Sequence, residues 1–230
     1  MSAVSVLLHL EDTGPGHLAT ALDANRVDWD VIRVADGEQL PDPSRSPAVV
    51  VLGGAIGAYE IEANPFLVEE MEFLRTVIGA GIPVLGICLG AQVVAAAMGG
   101  RAFKADLPEI GLVDFTFTAV GERDPIMMAL GGPMVAVHED TFSLPDGAQL
   151  LASTSYPHAF RVGSALAVQF HPEVDSAIVA TWLEHDTDDL FREAGVDPDE
   201  FLRQVQQHDV ALEERALRFF NAWLADAGLI

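Results

Sequence analysis

The chain has 230 residues, half of them hydrophobic, and its 12 basic against 35 acidic residues give a formal net charge of −23. This length suits one α/β domain with a sizeable core, and no apolar stretch approaches the roughly 18 residues of a membrane span. So negative a chain repels nucleic acid and anionic membranes, and neither is expected as a partner. A single cysteine excludes a disulfide framework and indicates a cytoplasmic protein.

Predicted strands and helices alternate up to about residue 98, an order typical of an α/β fold with a parallel sheet. The unbroken apolar run 48–52 predicts a central strand covered on both faces. Around it we predict strand 4–10, helix 16–25, strand 29–34, a helix opened by Pro65, a strand that leads into Cys88, and the helix that follows it as far as Gly99.

Beyond residue 98 the pattern changes to short strands linked by turns, which predicts antiparallel or mixed pairing. The expected architecture is therefore a mostly parallel central sheet flanked by helices, with a smaller antiparallel or mixed section. We expect a single domain over 1–230, with a catalytic core at about 48–185. The predicted elements here are strands 111–118, 134–137, 149–153, 159–162 and 165–170, helix 178–184, an acidic connector 186–200 and a long helix 201–224.

The segment around the only cysteine has the construction of a nucleophile elbow. An apolar strand enters Gly86-Ile87-Cys88-Leu89-Gly90 and continues directly into a helix. The glycines on either side of Cys88 lack a Cβ, so the two chain segments can pass closely. Cys88 is then expected to be exposed at the end of the strand, where the helix N-terminus favours a thiolate. The alternative is a buried structural thiol.

A cysteine nucleophile needs a base and usually a group that orients the base. Gln169-Phe170-His171-Pro172-Glu173 offers both, because a predicted strand delivers His171 at its end and Glu173 lies two residues further on. A carboxylate at this spacing can position the imidazole and stabilise its cationic form. The sequence therefore predicts a triad of Cys88, His171 and Glu173.

These two motifs together closely resemble those of class I, triad-type glutamine amidotransferases. The resemblance extends to segments 52–54, 109–111 and 138–147, and so covers nearly the whole chain. It is strongest to stand-alone amidotransferases similar to the glutaminase domain of GMP synthase. The resemblance implies the flavodoxin-like fold of that family and, as substrate, glutamine or a related γ-glutamyl small molecule.

Residue by residue, the resemblance implies that Cys88 forms a γ-glutamyl thioester and releases ammonia. His171 is then the general base and acid, and Glu173 is the carboxylate that orients it. The family's oxyanion hole falls on the backbone N–H groups of Gly54 and Leu89, and its substrate contacts fall on Gln92 and on the His138 loop.

No cofactor and no metal are expected. His138-x-Asp140 has ligand-like spacing, but we find no other such cluster in the sequence, and a metal would compete for the thiolate. The remaining histidines are predicted to be strand, loop or surface residues without a catalytic role: His9, His17, His158, His185 and His208.

The sequence contains no P-loop or other nucleotide-binding fingerprint, so an ammonia acceptor is expected on a synthetase partner subunit or does not exist. One alternative is a free-standing γ-glutamyl amine hydrolase. Another is a peptidase-like cysteine α/β enzyme, in which a histidine typically follows the cysteine where this chain has Leu89. The third is a catalytically idle regulatory or binding module, against which the intact triad argues.

Overall fold

The computed structural model describes residues 3–9, 14–185 and 190–230. No helix in these ranges is both long enough and apolar enough to cross a membrane. The strands are β1 (Val4–Leu8), β2 (Trp29–Arg33), β3 (Val49–Val51), β4 (Val84–Ile87), β5 (Arg101–Val113), β6 (Thr116–Phe117), β7 (Met134–Ser143), β8 (Gln149–Ser153), β9 (Pro157–Val162) and β10 (Ala165–Val168). The α-helices are α1 (Gly16–Ala24), α2 (Phe66–Gly79), α3 (Leu89–Ala97), α4 (Pro125–Leu130), α5 (Ser176–Glu184), α6 (Leu190–Glu193) and α7 (Pro198–Asp226).

A large sheet with the strand order β2-β1-β3-β4-β10-β9-β8-β6 forms the centre of the molecule. The pairs from β2 to β10 are parallel, and the pairs from β10 through β9 and β8 to β6 are antiparallel. Strands β5 and β7 pair with each other as a separate antiparallel ribbon. The expected class, a mostly parallel sheet with a smaller antiparallel section, is confirmed.

Both faces of the parallel strands are covered, which explains their continuous apolar runs. Successive side chains point to opposite faces, so Val50 packs in a core with α1, α4 and α7, whereas Val49 and Val51 pack in a second core with α2 and α3. The carboxyl ends of β1, β3, β4 and β10 consequently meet at one edge of the sheet, as in other open parallel sheets where that edge holds the ligand site.

The structure corrects several predicted boundaries. β5 begins at Arg101 instead of residue 111, because its polar first half pairs with β7 in a ribbon that apolar periodicity does not reveal. β7 continues past residue 137 to Ser143. The first strand ends at Leu8, and Leu10 lies outside the described residues.

Helix α4 was not predicted, although its end signals are present in the sequence. Asp124 accepts hydrogen bonds from the amides of Ile126 and Met127, Pro125 occupies the first turn, and Gly131 ends the helix in a left-handed conformation. The acidic connector 186–200 was also partly wrong, since it contains α6 and the start of α7, while 186–189 fall outside the described residues. Asp197 caps α7 by accepting from the Glu200 amide.

Candidate active site

Cys88 occupies a strained turn between β4 and α3. Its φ of 52° and ψ of −110° are rare for a residue with a side chain, and a conformation of this kind costs roughly 1–3 kcal/mol. A Cβ on Gly86 would lie 2.6 Å from the Gly90 carbonyl oxygen, and a Cβ on Gly90 would lie 2.1 Å from the Val51 carbonyl oxygen. The predicted need for glycine at both positions is confirmed, and its reason is space.

Cys88 is buried, with 6% of its surface exposed, which corrects the expectation of an exposed residue. Its sulfur lies 3.5 Å from the Gln169 side-chain amide nitrogen and 3.9 Å from the Val137 carbonyl oxygen. The Cys88 backbone amide donates to Val168 of β10 at 2.8 Å. The thiol therefore lies at the end of its strand as predicted, but β7 and the segment after β10 cover it.

His171 and Glu173 come together beside this thiol. The His171 Nδ1 lies 2.7 Å from the Glu173 Oε1, and both side chains are buried. The His171 amide donates to Val135 of β7 at 2.8 Å, and its ring meets the Trp182 ring edge-on at 4.9 Å between centroids. Backbone and side chain are thus both fixed, and the second ring nitrogen is left for Cys88.

The electrostatics of His171 favour its protonated form. Burial alone would lower the pKa of His171, but the charges of Glu173 and Cys88 and the hydrogen bonds to both raise that pKa well above its ordinary value. A cationic imidazole next to the sulfur favours the thiolate, the reactive form of a cysteine nucleophile. The arrangement can therefore hold a thiolate and imidazolium pair with Glu173 as the third partner.

The predicted oxyanion donors also lie at this edge of the sheet. A Cβ on Gly54 would lie 2.6 Å from the Leu89 side chain, and a Cβ on Gly53 would lie 3.1 Å from the His171 ring and 3.5 Å from the Cys88 Cβ. Within the described residues, the amides of Gly54 and Leu89 donate no hydrogen bond. Two free N–H groups next to a nucleophile are what an oxyanion hole requires.

Gln92 lies in the first turn of α3 and is 2% exposed. Its Nε2 donates to the Gln169 Oε1 at 3.4 Å, and Gln169 in turn donates to the Cys88 sulfur. Its own Oε1 has no partner in the described part of the chain, which leaves an acceptor available. A contact between Gln92 and bound substrate stays a prediction. The part played by Gln169 was not predicted.

The His138 ring is buried and has no free nitrogen. Its Nδ1 donates to the Asp140 carbonyl oxygen at 2.9 Å, and its Nε2 lies 3.1 Å from the Glu109 Oε2. Both nitrogens face oxygen acceptors, as in a ring that carries both protons. We therefore expect this loop to contribute to the pocket through the Val137 carbonyl, while the predicted contact of the His138 ring with substrate finds no support in its geometry.

Glu109, His138 and His158 form a cluster that sequence spacing did not reveal. The His158 Nε2 lies 2.5 Å from the Glu109 carboxylate, which also accepts from Thr154. Burial would raise the pKa of Glu109, but the hydrogen bonds from His138, His158 and Thr154 hold that pKa well below its ordinary value. The ligand atoms of the three ionisable residues lie within 4.8 Å of one another, a possible divalent-metal set, yet the carboxylate is already satisfied by protein donors. The absence of a metal stays a prediction.

Three of the five histidines expected on strands, loops or the surface are buried: His9, His17 and His158. His9 pairs with Glu70 of α2, and the His17 amide donates to the Glu173 carbonyl oxygen at 2.9 Å. His208 is exposed on α7, as a surface residue should be. No local signal distinguishes the buried histidines, because their partners come from other elements.

A buried thiol on a strained turn, beside an imidazole with its own carboxylate and at the edge of a parallel sheet, defines an α/β protein equipped for cysteine chemistry on acyl groups. Residues 12–185 match the model of the family described as glutamine amidotransferase class-I, and the chain belongs to that family.

Known relatives differ in length from this chain. It is 28% identical over 170 residues to the glutamine amidotransferase-like protein chry6 of Gibberella zeae, a match that covers 68% of this chain and 66% of that protein. It is 31% identical over 134 residues to the glutamine-hydrolysing GMP synthase of Brachyspira hyodysenteriae, covering 55% of this chain and 24% of the synthase. A solved glutamine amidotransferase from Thermotoga maritima shares its fold, with a TM-score of 0.86, 26% identity, and coverage of 97% of this chain and 99% of that one.

Proposed function

We propose that this protein hydrolyses the γ-amide of glutamine, or of a related γ-glutamyl compound, through a thioester on Cys88. The observation that carries the proposal is the convergence of Cys88, His171 and Glu173, with the 2.7 Å contact between the latter two, at the carboxyl edge of the parallel sheet. Membership of the glutamine amidotransferase family supports the choice of substrate.

The first half of the reaction forms the thioester. The Cys88 thiolate attacks the amide carbonyl carbon of the substrate, and the carbonyl oxygen becomes an oxyanion that accepts hydrogen bonds from the Gly54 and Leu89 amides. The His171 imidazolium then donates its proton to the amide nitrogen as the carbon–nitrogen bond breaks, so ammonia leaves. Glu173 keeps the ring oriented for both proton transfers.

The second half returns the enzyme to its starting state. Neutral His171 takes a proton from water as the water oxygen attacks the thioester carbon, and the same two amides donate hydrogen bonds to the new oxyanion. Collapse of this intermediate breaks the carbon–sulfur bond and restores the Cys88 thiolate next to the imidazolium. The balance is glutamine and water in, glutamate and ammonia out.

We also propose a synthetase partner subunit as the consumer of the ammonia. This chain spans 24% of the matched GMP synthase, which supports an amidotransferase unit that works with acceptor chemistry located elsewhere. An uncoupled glutaminase would waste glutamine, so we expect slow hydrolysis by the isolated chain. A preorganised oxyanion hole is worth about 10²–10³-fold in rate per donor, so a small shift of the Gly54 amide is enough to hold activity down.

The test is covalent labelling with 6-diazo-5-oxo-norleucine, a glutamine analogue, followed by intact-mass analysis. We expect one adduct on the wild-type protein, located at Cys88 by peptide mapping and suppressed by excess glutamine. Cys88→Ala is the matched control and should remain unlabelled. A folded wild-type protein that takes up no label, or an adduct that persists in Cys88→Ala, refutes the nucleophile assignment and with it the proposed function.

A further inference from the structure

A buried ion pair lies immediately behind the predicted oxyanion loop and takes no part in the mechanism above. His9 follows β1, and Glu70 lies on the sheet-facing side of α2. The His9 Nε2 is 2.9 Å from the Glu70 Oε2 and 3.2 Å from the Oε1, and both side chains are 0% exposed. Burying two charges costs as much as their attraction returns, and apolar replacements of such pairs are often neutral or stabilising. Stability alone therefore does not explain this pair.

The position of His9 connects the pair to Gly54. A Cβ placed on Gly54 would lie 3.0 Å from the His9 Cβ and 3.6 Å from its Cγ, so the imidazole packs directly against that residue. The neighbouring Gly53 faces the opposite way, towards Cys88 and His171. The loop is therefore enclosed between the buried pair on one side and the nucleophile with its base on the other.

The ring has a nitrogen available for this loop. The His9 Nδ1 is buried and makes no well-formed hydrogen bond in the described part of the chain, while the carbonyl groups of Leu52 and Gly53 lie on its side and help to keep the ring protonated. Burial lowers the pKa of His9, but the charge and hydrogen bond of Glu70, together with these carbonyls, raise it overall. Glu70 is the charged group that faces the ring, and α2 otherwise presents the Phe66 ring at 6.2 Å.

Peptide geometry turns this contact into an orientation of the oxyanion donor. In a planar trans peptide the C=O of one residue and the N–H of the next point in opposite directions. A Gly53 carbonyl directed at a cationic His9 leaves the Gly54 N–H directed away from His9. The same cation also favours negative charge on any oxyanion to which this N–H donates.

We propose that His9 and Glu70 are positioning residues for the oxyanion hole: the His9 imidazolium holds the Gly53–Gly54 peptide so that the Gly54 N–H serves Cys88, and Glu70 holds the imidazolium. The inference rests on the proposed function, because it assigns the pair to the same reaction. Neither residue touches the substrate.

The test compares Glu70→Gln and His9→Gln with the wild type. Ser46→Ala is the matched control, because its hydroxyl forms a buried 2.6 Å hydrogen bond with Ser5 of β1 and its loss leaves the Gly54 contacts unchanged. Two rates are measured on each protein: glutamine hydrolysis, which passes through an oxyanion, and alkylation of Cys88 by iodoacetamide, which displaces iodide and forms none.

We expect both variants to lose at least about tenfold in kcat with little change in KM, since a lost oxyanion donor costs about 10²–10³-fold. Their alkylation rates should stay at the wild-type level, because the thiolate and its base are untouched. The double variant should lose no more than His9→Gln alone, since Glu70 acts through His9. Ser46→Ala should match the wild type in both rates.

Unchanged kcat in both variants overturns the proposal, and so does a fall in alkylation equal to the fall in kcat, which indicates general disruption of the site. If His9→Gln does not fold, Glu70→Gln and His9→Asn decide the question, and failure of all three to fold marks the pair as purely structural. A wild-type protein that forms no thioester refutes the proposed function itself, whereas a competent wild type with unaffected variants refutes only the positioning role.

Discussion

The closest approach in the elbow gives a quantitative prediction for Gly90→Ala. The new Cβ would lie 2.1 Å from the Val51 carbonyl oxygen and 2.8 Å from the Val51 carbonyl carbon, so β3 and the start of α3 must separate. The obstacle is backbone in the middle of the sheet and cannot rotate away. Overpacking of this kind costs about 1–3 kcal/mol, and we expect the upper end of that range. For a chain of this size, about 3 kcal/mol lowers Tm by roughly 6–12 °C.

Thermal unfolding and thioester formation should be measured side by side on Gly90→Ala and Gly79→Ala. Gly79 ends α2, is exposed and has ordinary backbone angles, and a methyl group added there would meet no atom within 4 Å, so alanine should raise stability by up to about 1 kcal/mol. Gly90→Ala should also acylate slowly, because the displaced turn carries Cys88 and the Leu89 amide. A Gly90→Ala protein with the Tm and acylation rate of Gly79→Ala would refute the close-packed elbow.

Three further predictions concern the triad, pH and regulation. His171→Ala should lower γ-glutamyl amide hydrolysis by at least about 10²-fold and by more than Glu173→Ala, since the ring moves the proton and the carboxylate orients it; steady-state assays decide, and equal activity of His171→Ala and wild type rules out its role. Glu109→Gln should be less stable than wild type at pH 7, and the difference should narrow as pH falls below about 4.3, because a depressed carboxyl pKa stabilises the fold above the unfolded pKa and loses that effect as the group protonates; denaturant titrations across pH measure it, and a pH-independent difference contradicts it. The purified chain should hydrolyse glutamine slowly and be stimulated by cell extract, whereas a high kcat/KM on a γ-glutamyl amine without any partner favours a free-standing hydrolase.

The features that sequence predicted well are encoded locally. Gly86 and Gly90 flank Cys88 at fixed spacing, and one steric requirement explains all three positions. His171 and Glu173 are two residues apart, so the strand end that delivers one delivers the other. The central strands were predictable for a related reason, since burial on both faces requires an unbroken apolar run.

The features that sequence missed depend on partners from distant elements. His9 and Glu70 are 61 positions apart, and Glu109 and His158 are 49 apart. A histidine that will be buried against a carboxylate has the same local surroundings in sequence as one on the surface, because the fold alone selects its partner. The polar half of β5 was missed for a similar reason, since its pairing with β7 replaces the apolar periodicity on which strand prediction relies.

The same difference separates the parts of the site that are rigid from the part that can be adjusted. Cys88 is fixed by the elbow and by its amide bond to Val168, and His171 is fixed by Val135, Glu173 and Trp182. Gly53 and Gly54 follow β3 without belonging to a helix or strand, and their amides bond to no group in the described residues. An activating partner that leaves the nucleophile and base in place therefore has this loop as its route to the reaction. A shift in the loop changes the stabilisation of the transition state without altering the thiolate, so activation through it should raise kcat for glutamine and leave the rate of Cys88 alkylation unchanged.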